Sequence, residues 1–329
     1  MALGLGLDVG GTKILACAIA ESGAVVAEAR TSSPRDRDGL LDALDAAARA
    51  LYAALGPRAR EVVAVGAGIP SLVDAGGVLH ETPNLPAIEG FALLDALRGR
   101  LVAMHGELGG GTDAHLDIIV ENDATAAAAG ELAFGAARQV RNAVVVTLGT
   151  GIGGGIVADG RILHGERGFA GEVGHMVVEL DGPRCHCGGR GCWEQYASGT
   201  GLARLGRAAV ARGAAPGLAA IVTSAAELRG EHVVAAASAG DEGARAIVDT
   251  FARYLALGLS NLAEIFDPAR LILGGGLVRS AGVLFEALPG YFAEHRRGTG
   301  ARRVEVVTAA RGERAGAVGA AALALGVVR

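Results

Sequence analysis

One supersecondary pattern occurs twice in this chain, and it limits the fold more than any single residue does. Leu3 to Val9 alternates like a strand and ends in Gly10-Gly11, Ile14 to Ala20 resumes a strand-like run, Ser22-Gly23 marks a turn, and Ala24 to Thr31 reads as a third strand. About 140 positions later the order returns. Ala143 to Leu148 is a β-rich run, Gly149-Thr150-Gly151 a glycine turn, Gly155 to Ala158 a strand, Asp159-Gly160 a turn, and Arg161 to Leu163 another strand. An internal repeat of this kind predicts two related lobes facing each other.

Between the repeats the periodicity predicts a helix from Gly39 to Leu55 and a strand from Val62 to Ala67. A proline-rich loop follows from Pro70 to Pro86, then a strand from Leu116 to Val120 and a helix from Ala124 to Ala133. Further helices are expected at Gly201 to Arg212 and Gly243 to Phe266, and a strand at Arg270 to Leu273 runs into Gly274-Gly275-Gly276. Small residues from Ala315 to Leu325 predict a last helix that packs back on the first lobe. Glycine turns after strands are where open α/β sheets bind ligands. The reading is an α/β protein of two lobes with a cleft between them.

A length of 329 residues accommodates two domains with separate cores. Only 4% of the chain is aromatic, so Ala, Val, Leu and Gly carry the packing and little material remains for stacking bases. A net charge of -5 argues against nucleic acid as a partner. Asn142 to Ala158 is the longest apolar run, too short and too rich in glycine to span a bilayer. Neither a signal peptide nor a membrane partner is expected, and the localisation expected is cytoplasmic. Lys13 is the one lysine among 30 basic residues, which draws attention to the turn it follows.

Four motifs carry chemistry. In Asp8-Val9-Gly10-Gly11-Thr12-Lys13 two glycines expose backbone N–H groups of the kind that attract phosphate, Thr12 adds a hydroxyl, and Asp8 can orient a hydrated Mg²⁺; an ordinary hairpin turn is the competing reading. Leu148 to Gly155 contains a formal G-x-G-x-x-G, but strand and turn follow it instead of a helix, so a second phosphate turn fits better than a dinucleotide fingerprint. Glu121-Asn122-Asp123-Ala124 stands where a strand meets a helix of small residues. One of Asn122 and Asp123 can cap that helix, while a carboxylate there can take a proton from an attacking hydroxyl.

The fourth motif is Gly171 to His175 followed by Cys185-His186-Cys187-Gly188-Gly189-Arg190-Gly191-Cys192-Trp193-Glu194. His175, Cys185, Cys187 and Cys192 make a Cys₃His set suited to a closed, structural Zn²⁺ site. His186 is a competing ligand whose place between two cysteines strains simultaneous ligation, and a redox pair is the other alternative. Four cysteines do not make a disulfide scaffold in a chain of this length, and Cys17, in an apolar strand, is expected in the core.

With Gly66-Ala67-Gly68-Ile69-Pro70, Pro83-Asn84-Leu85-Pro86 and Leu273 to Gly276 added, these motifs run in one order across nearly the whole chain. In that order the chain resembles the ROK family of sugar kinases, and within it the bacterial glucokinases. The resemblance implies an actin-like, ribonuclease-H-like ATPase fold with a cleft between lobes and a zinc-binding loop. It also implies ATP and Mg²⁺ dependence, and phosphorylation of a hexose, usually at O6. A smaller lobe of residues 1–121 with 305–329 and a larger lobe of 122–304 are expected, and a homodimer or homotetramer.

By the same resemblance Asp123 is the catalytic base, and Asn84, Asn122, Glu172, His175 and Glu194 hold sugar hydroxyls. Asp8, Gly10, Gly11, Thr12 and Lys13, with Gly149, Thr150, Gly151 and Gly153, lie at the ATP phosphates, and Gly274, Gly275 and Gly276 near the adenosine. His175 then uses one ring nitrogen on zinc and the other on sugar. Ser71 and Thr125 depart from the family's usual glycine and asparagine, and the stretch from Ala87 to Phe91 lacks its usual glycine directly after Pro86. Mannose, fructose, N-acetylglucosamine and N-acetylmannosamine are alternative acceptors. A sugar-sensing regulator of the same family is the alternative outside catalysis; with Asp8 seven residues after Met1, no helix-turn-helix domain is expected ahead of the first turn.

Overall fold

The computed structural model describes residues 2–34, 36–82, 86–110, 115–279, 282–295 and 303–328. The chain divides into two compact units, one of Met1–Val145, Gly154–Gly171 and Ala309–Arg329, the other of Val146–Gly153 and Glu172–Thr308.

The strands in chain order are β1 (Leu3–Val9), β2 (Lys13–Ala20), β3 (Val25–Ser32), β4 (Val62–Ile69), β5 (Leu72–Val73), β6 (Leu79–His80), β7 (Asp117–Asn122), β8 (Ala143–Leu148), β9 (Ile152–Ala158), β10 (Arg161–Ile162), β11 (Arg270–Gly274) and β12 (Glu305–Thr308). One five-stranded sheet has the order β3-β2-β1-β4-β7, with β1 antiparallel to β2 and parallel to β4, and β4 parallel to β7. The other five-stranded sheet has the order β10-β9-β8-β11-β12. Each sheet therefore carries the strand–turn–strand–turn–strand unit that the sequence repeats. The proline-rich stretch after Pro70 is not all loop, because β5 and β6 pair across it as a short antiparallel ribbon.

The helices of the first unit are α1 (Arg37–Leu55), α2 (Leu93–His105) and α3 (Asp123–Phe134). In the second unit lie α4 (Glu194–Ala197), α5 (Gly199–Ala211), α6 (Pro216–Ala220), α7 (Gly230–Ser238), α8 (Glu242–Phe266), α9 (Gly276–Arg279), α10 (Gly282–Phe285) and α11 (Leu288–His295). The final helix, α12 (Ala315–Ala324), belongs to the first unit.

Strand alternation sorts the first sheet into two faces. Leu3, Leu5, Leu7 and Val9 of β1 join Leu40, Leu44 and Leu51 of α1 and Leu93, Leu97 and Leu101 of α2 in the main core. The opposite face of β1 presents Gly4, Gly6 and Asp8. There α12 lies against bare backbone: a methyl group on Gly6 would collide with the Ala317 carbonyl, and one on Gly66 of β4 with that of Ala320. Cys17 lies fully buried between β2 and α12, as a core residue. Only a helix with small residues on the side that faces the sheet, here Ala317 and Ala320, can approach this closely, which accounts for the composition of the last stretch. The buried Glu131 carboxylate of α3 ties the returning chain down by accepting the N–H groups of Ala310 and Arg311 at 3.0 and 2.7 Å.

In the second unit α8 is the central element. Asp241 caps it by accepting the Ala244 N–H at 2.7 Å, and residues Ile247, Phe251, Leu255, Leu259 and Leu262 make its buried stripe. Trp193 is fully buried beside it and donates its ring N–H to the Tyr254 carbonyl at 2.7 Å.

Candidate active site

The register of the first sheet aligns the chemistry. Asp8 of β1 pairs with Gly68 of β4, and Gly68 with Glu121 of β7, so Asp8 and the Glu121-Asn122-Asp123 run share the carboxyl end of three parallel strands. Asn122 is the cap of α3, and its Oδ1 accepts the N–H groups of Ala124 and Thr125, both at 2.9 Å. Its Nδ2 donates to the Ser71 carbonyl at 3.2 Å, which leaves one amide proton. The side chain of Asp123 is thereby released from capping duty, although its Oδ1 still accepts the Ala124 N–H at 2.8 Å.

Among the described residues no side-chain donor bonds the carboxylate of Asp8 or Asp123. Burial pushes Asp123 up to about 6, against the pull of the Ala124 N–H. Burial first, and then the charge of Asp123, pushes Asp8 up to about 8, with Lys13 pulling the other way. Two such carboxylates form a hard oxygen donor set short of positive charge, and a hydrated Mg²⁺ fits it.

The turn after β1 closes with Gly10 N–H donating to the Lys13 carbonyl at 2.9 Å. Gly11 and Thr12 are exposed, with open space where a Gly11 side chain would stand. Lys13 does not reach into that turn; its ammonium pairs with Glu313 at 3.1 Å. In the second unit the Gly149–Gly151 turn closes in the same manner, and the first turn of α5 braces it: Gly199 and Thr200 donate to the carbonyls of Gly149 and Thr150 at 2.9 and 3.1 Å. Gly153 lies in β9, Gly274 ends β11 in a buried position, and Gly275 and Gly276 are exposed at the start of α9.

The Cys₃His prediction is brought together in space. His175, Cys185, Cys187 and Cys192 offer ligand atoms that all lie within 4.8 Å of one another. The His175 Nδ1 is 3.6 Å from the Cys185 sulfur, and the sulfurs of Cys187 and Cys192 are 3.6 Å apart. Tetrahedral zinc with thiolate and imidazole ligands requires separations of about 3.5 to 3.8 Å, so the donor set fits the ion. The Nε2 of His175 faces Glu172 at 3.8 Å. A second grouping replaces Cys187 and Cys192 by His186 and Glu194, and His175 belongs to both. Glu194 is buried, and its Oε2 accepts the Ile152 N–H at 3.0 Å. Asn84 lies outside the described residues.

One partnership has no signature in the sequence. The buried Glu121 carboxylate accepts the Asn122 N–H at 2.8 Å through one oxygen and the His164 ring at 2.9 Å through the other. That contact holds His164 above the usual histidine range. Forty-three positions separate the two residues, so only the folded strands reveal the pair. Among the described residues no helix is long and apolar enough to cross a membrane.

The model of the ROK family matches residues 4–327. A glucokinase of Streptomyces coelicolor is 34% identical, with 98% of each chain covered. Among solved structures, a ROK family glucokinase from Streptomyces griseus in complex with glucose and AMPPNP is 35% identical with a TM-score of 0.81, covering 98% of this chain and 99% of that one. A ROK hexokinase from Thermus thermophilus is 32% identical with a TM-score of 0.79, covering 98% of each. With these likenesses running the length of the fold just described, the chain belongs to the ROK family and has its actin-like ATPase fold.

Proposed function

We propose that this protein is an ATP-dependent hexose kinase that converts glucose and ATP to glucose 6-phosphate and ADP. The observation that carries the reading is Asp123, a carboxylate at the first turn of α3 with no cationic partner among the described residues and burial pushing it up to about 6. A proton acceptor with that value is ionised at neutral pH yet basic enough to matter. Its relatives' names support the choice of acceptor.

In this mechanism Asp123 accepts the proton of the sugar 6-hydroxyl as that oxygen bonds to the γ-phosphorus and the bond to the bridging oxygen breaks, releasing ADP. The turns that carry Gly10, Gly11, Gly149, Gly151 and Gly153, with the hydroxyls of Thr12 and Thr150, hold the phosphates. Gly274, Gly275 and Gly276 lie near the adenosine, with open space beside Gly276. Asp8 orients a hydrated Mg²⁺, which supplies charge neutralisation at the transferring group. Lys13 serves the phosphates only by exchanging its Glu313 partner for them.

Asn84, Asn122 through its remaining amide proton, Glu172, His175 and Glu194 hold sugar hydroxyls. His175 has Nδ1 toward the sulfurs and Nε2 beside Glu172, so the two reach the sugar together; Zn²⁺ on His175, Cys185, Cys187 and Cys192 would supply rigidity to that loop. The enzyme acts in the cytoplasm as a homodimer or homotetramer. The test is ADP release with Mg²⁺ across glucose, mannose, fructose, N-acetylglucosamine and N-acetylmannosamine. A dominant glucose signal supports the reading, and another dominant hexose replaces the acceptor. No turnover on any of them, with glucose still raising the melting midpoint, replaces the enzyme by a sugar sensor.

A further inference from the structure

His186, within the cysteine loop, belongs to neither the metal set nor the sugar set above. Its Nδ1 lies 3.4 Å from the Glu194 Oε1 and 3.9 Å from the Cys185 sulfur, and its ring stands edge-on to His175 with centroids 5.2 Å apart. The side chain of His186 is 40% exposed, whereas that of Glu194 is 10% exposed, so the imidazole sits at the rim of a pocketed carboxylate. The other oxygen of Glu194 is already fixed by the Ile152 N–H.

Zinc does not need His186. The Cys₃His atoms are complete without it, and borderline-soft zinc favours thiolates over the harder carboxylate that the alternative grouping brings. The His186 Nδ1 also lies nearer to the Glu194 Oε1 than to the Cys185 sulfur.

We infer that His186 is a positioning residue for the sugar, one that donates its Nδ1–H to the Glu194 Oε1 and so locks this carboxylate as a hydrogen-bond acceptor between the cysteine loop and the Ile152 backbone. The pair stands 3.4 Å apart, and contacts at such sites shorten when substrate binds. A carboxylate held at both oxygens loses little freedom when a hydroxyl arrives, so the effect falls on ground-state sugar binding and not on the phosphoryl step. The inference rests on the hexose reading of Glu194 proposed above.

The experiment compares wild type, His186→Ala and His186→Asn, measuring glucose binding by calorimetry, KM and kcat for glucose, and zinc content. For His186→Ala the expectation is a rise of about tenfold in glucose Kd and KM, with kcat within about twofold and zinc unchanged. In His186→Asn the amide can replace the donor, so most of the affinity returns. Unchanged KM in both variants overturns the inference, and so does a fall in kcat as large as that in kcat/KM. Loss of zinc from His186→Ala also overturns it and makes His186 a ligand. A wild type that binds no hexose defeats the kinase reading itself, an outcome separate from any behaviour of the variants.

Discussion

Asp8 and Asp123 meet across Gly68: a β-carbon built on that glycine would stand 3.6 Å from the Asp8 Oδ1 and 3.5 Å from the Asp123 Cα. The two acids are close enough that the charge of Asp123 raises Asp8, with Lys13 opposing it only in part. Their elevated values, about 8 and about 6, follow from that shared burial.

The pair has a cost in stability that depends on pH. Both carboxyls bind protons more tightly in the folded protein than at the ordinary value of 3.8, so between about pH 4 and pH 8 the folded state holds more protons and stability falls as pH rises. Asp8→Asn removes one charge without changing shape. Its melting midpoint should exceed that of wild type at pH 8 in the absence of divalent cations, with the gap closing toward pH 4. Scanning calorimetry across that range checks it; a gap independent of pH would contradict the buried pair.

Asp123→Ala should lower kcat by at least roughly 10²-fold while glucose binding largely survives. In wild type kcat/KM should fall on the acid side with an apparent midpoint near pH 6, because protonated Asp123 cannot accept the hydroxyl proton. Wild-type turnover in the variant would remove Asp123 from its role.

Cys187 is the exposed member of the cysteine set, so Cys187→Ser removes a ligand and little packing. Zinc content should drop and the melting midpoint should fall by several degrees, since metal that binds only the folded loop contributes to folding. Elemental analysis and melting curves read both, and unchanged values in both would dismiss the structural site.

The Glu121–His164 contact gives a pH dependence of the same sign as the acid pair, but as a stabilisation lost with rising pH instead of a cost that grows. His164 binds its proton more tightly when folded, so its stabilisation is complete below the ordinary value of 6.5 and is lost as pH rises through the elevated folded value. His164→Gln should therefore lower the melting midpoint more at pH 6 than at pH 8.5. An equal loss at both would mean that the ring contributes by packing alone.

Local chemistry was legible in the sequence and long-range pairing was not. The strands β1 and β8 match their expected limits of Leu3–Val9 and Ala143–Leu148, because apolar runs ending in glycine turns leave little choice. The cysteine spacing announced its cluster for the same reason. By contrast, α2 buries Leu93, Leu97, Leu101 and Met104, yet Gly99 and the loop signals before it mask the period. The edge strand β12 is short and alternates weakly, so only its pairing with β11 defines it. At the site, the Asn122 cap was one of two open readings, and the hydrogen bonds to Ala124 and Thr125 decide it. Neither the Ile152–Glu194 bond nor the Glu121–His164 contact follows from spacing, because each joins residues more than forty positions apart.

The close seat of α12 on β1 and β4 has a consequence for how the chain comes into being. Synthesis proceeds from the amino end, so the strands that carry Gly6 and Gly66 leave the ribosome long before Ala317 and Ala320 exist to cover them. Until the closing helix is made, the backbone at Gly6 and Gly66 and the apolar Leu15, Cys17 and Ile19 beside it stay uncovered, open to chaperones or to other strands. A stop codon inside α12 would thus spare every proposed catalytic and ligand residue and still leave the first unit unfinished.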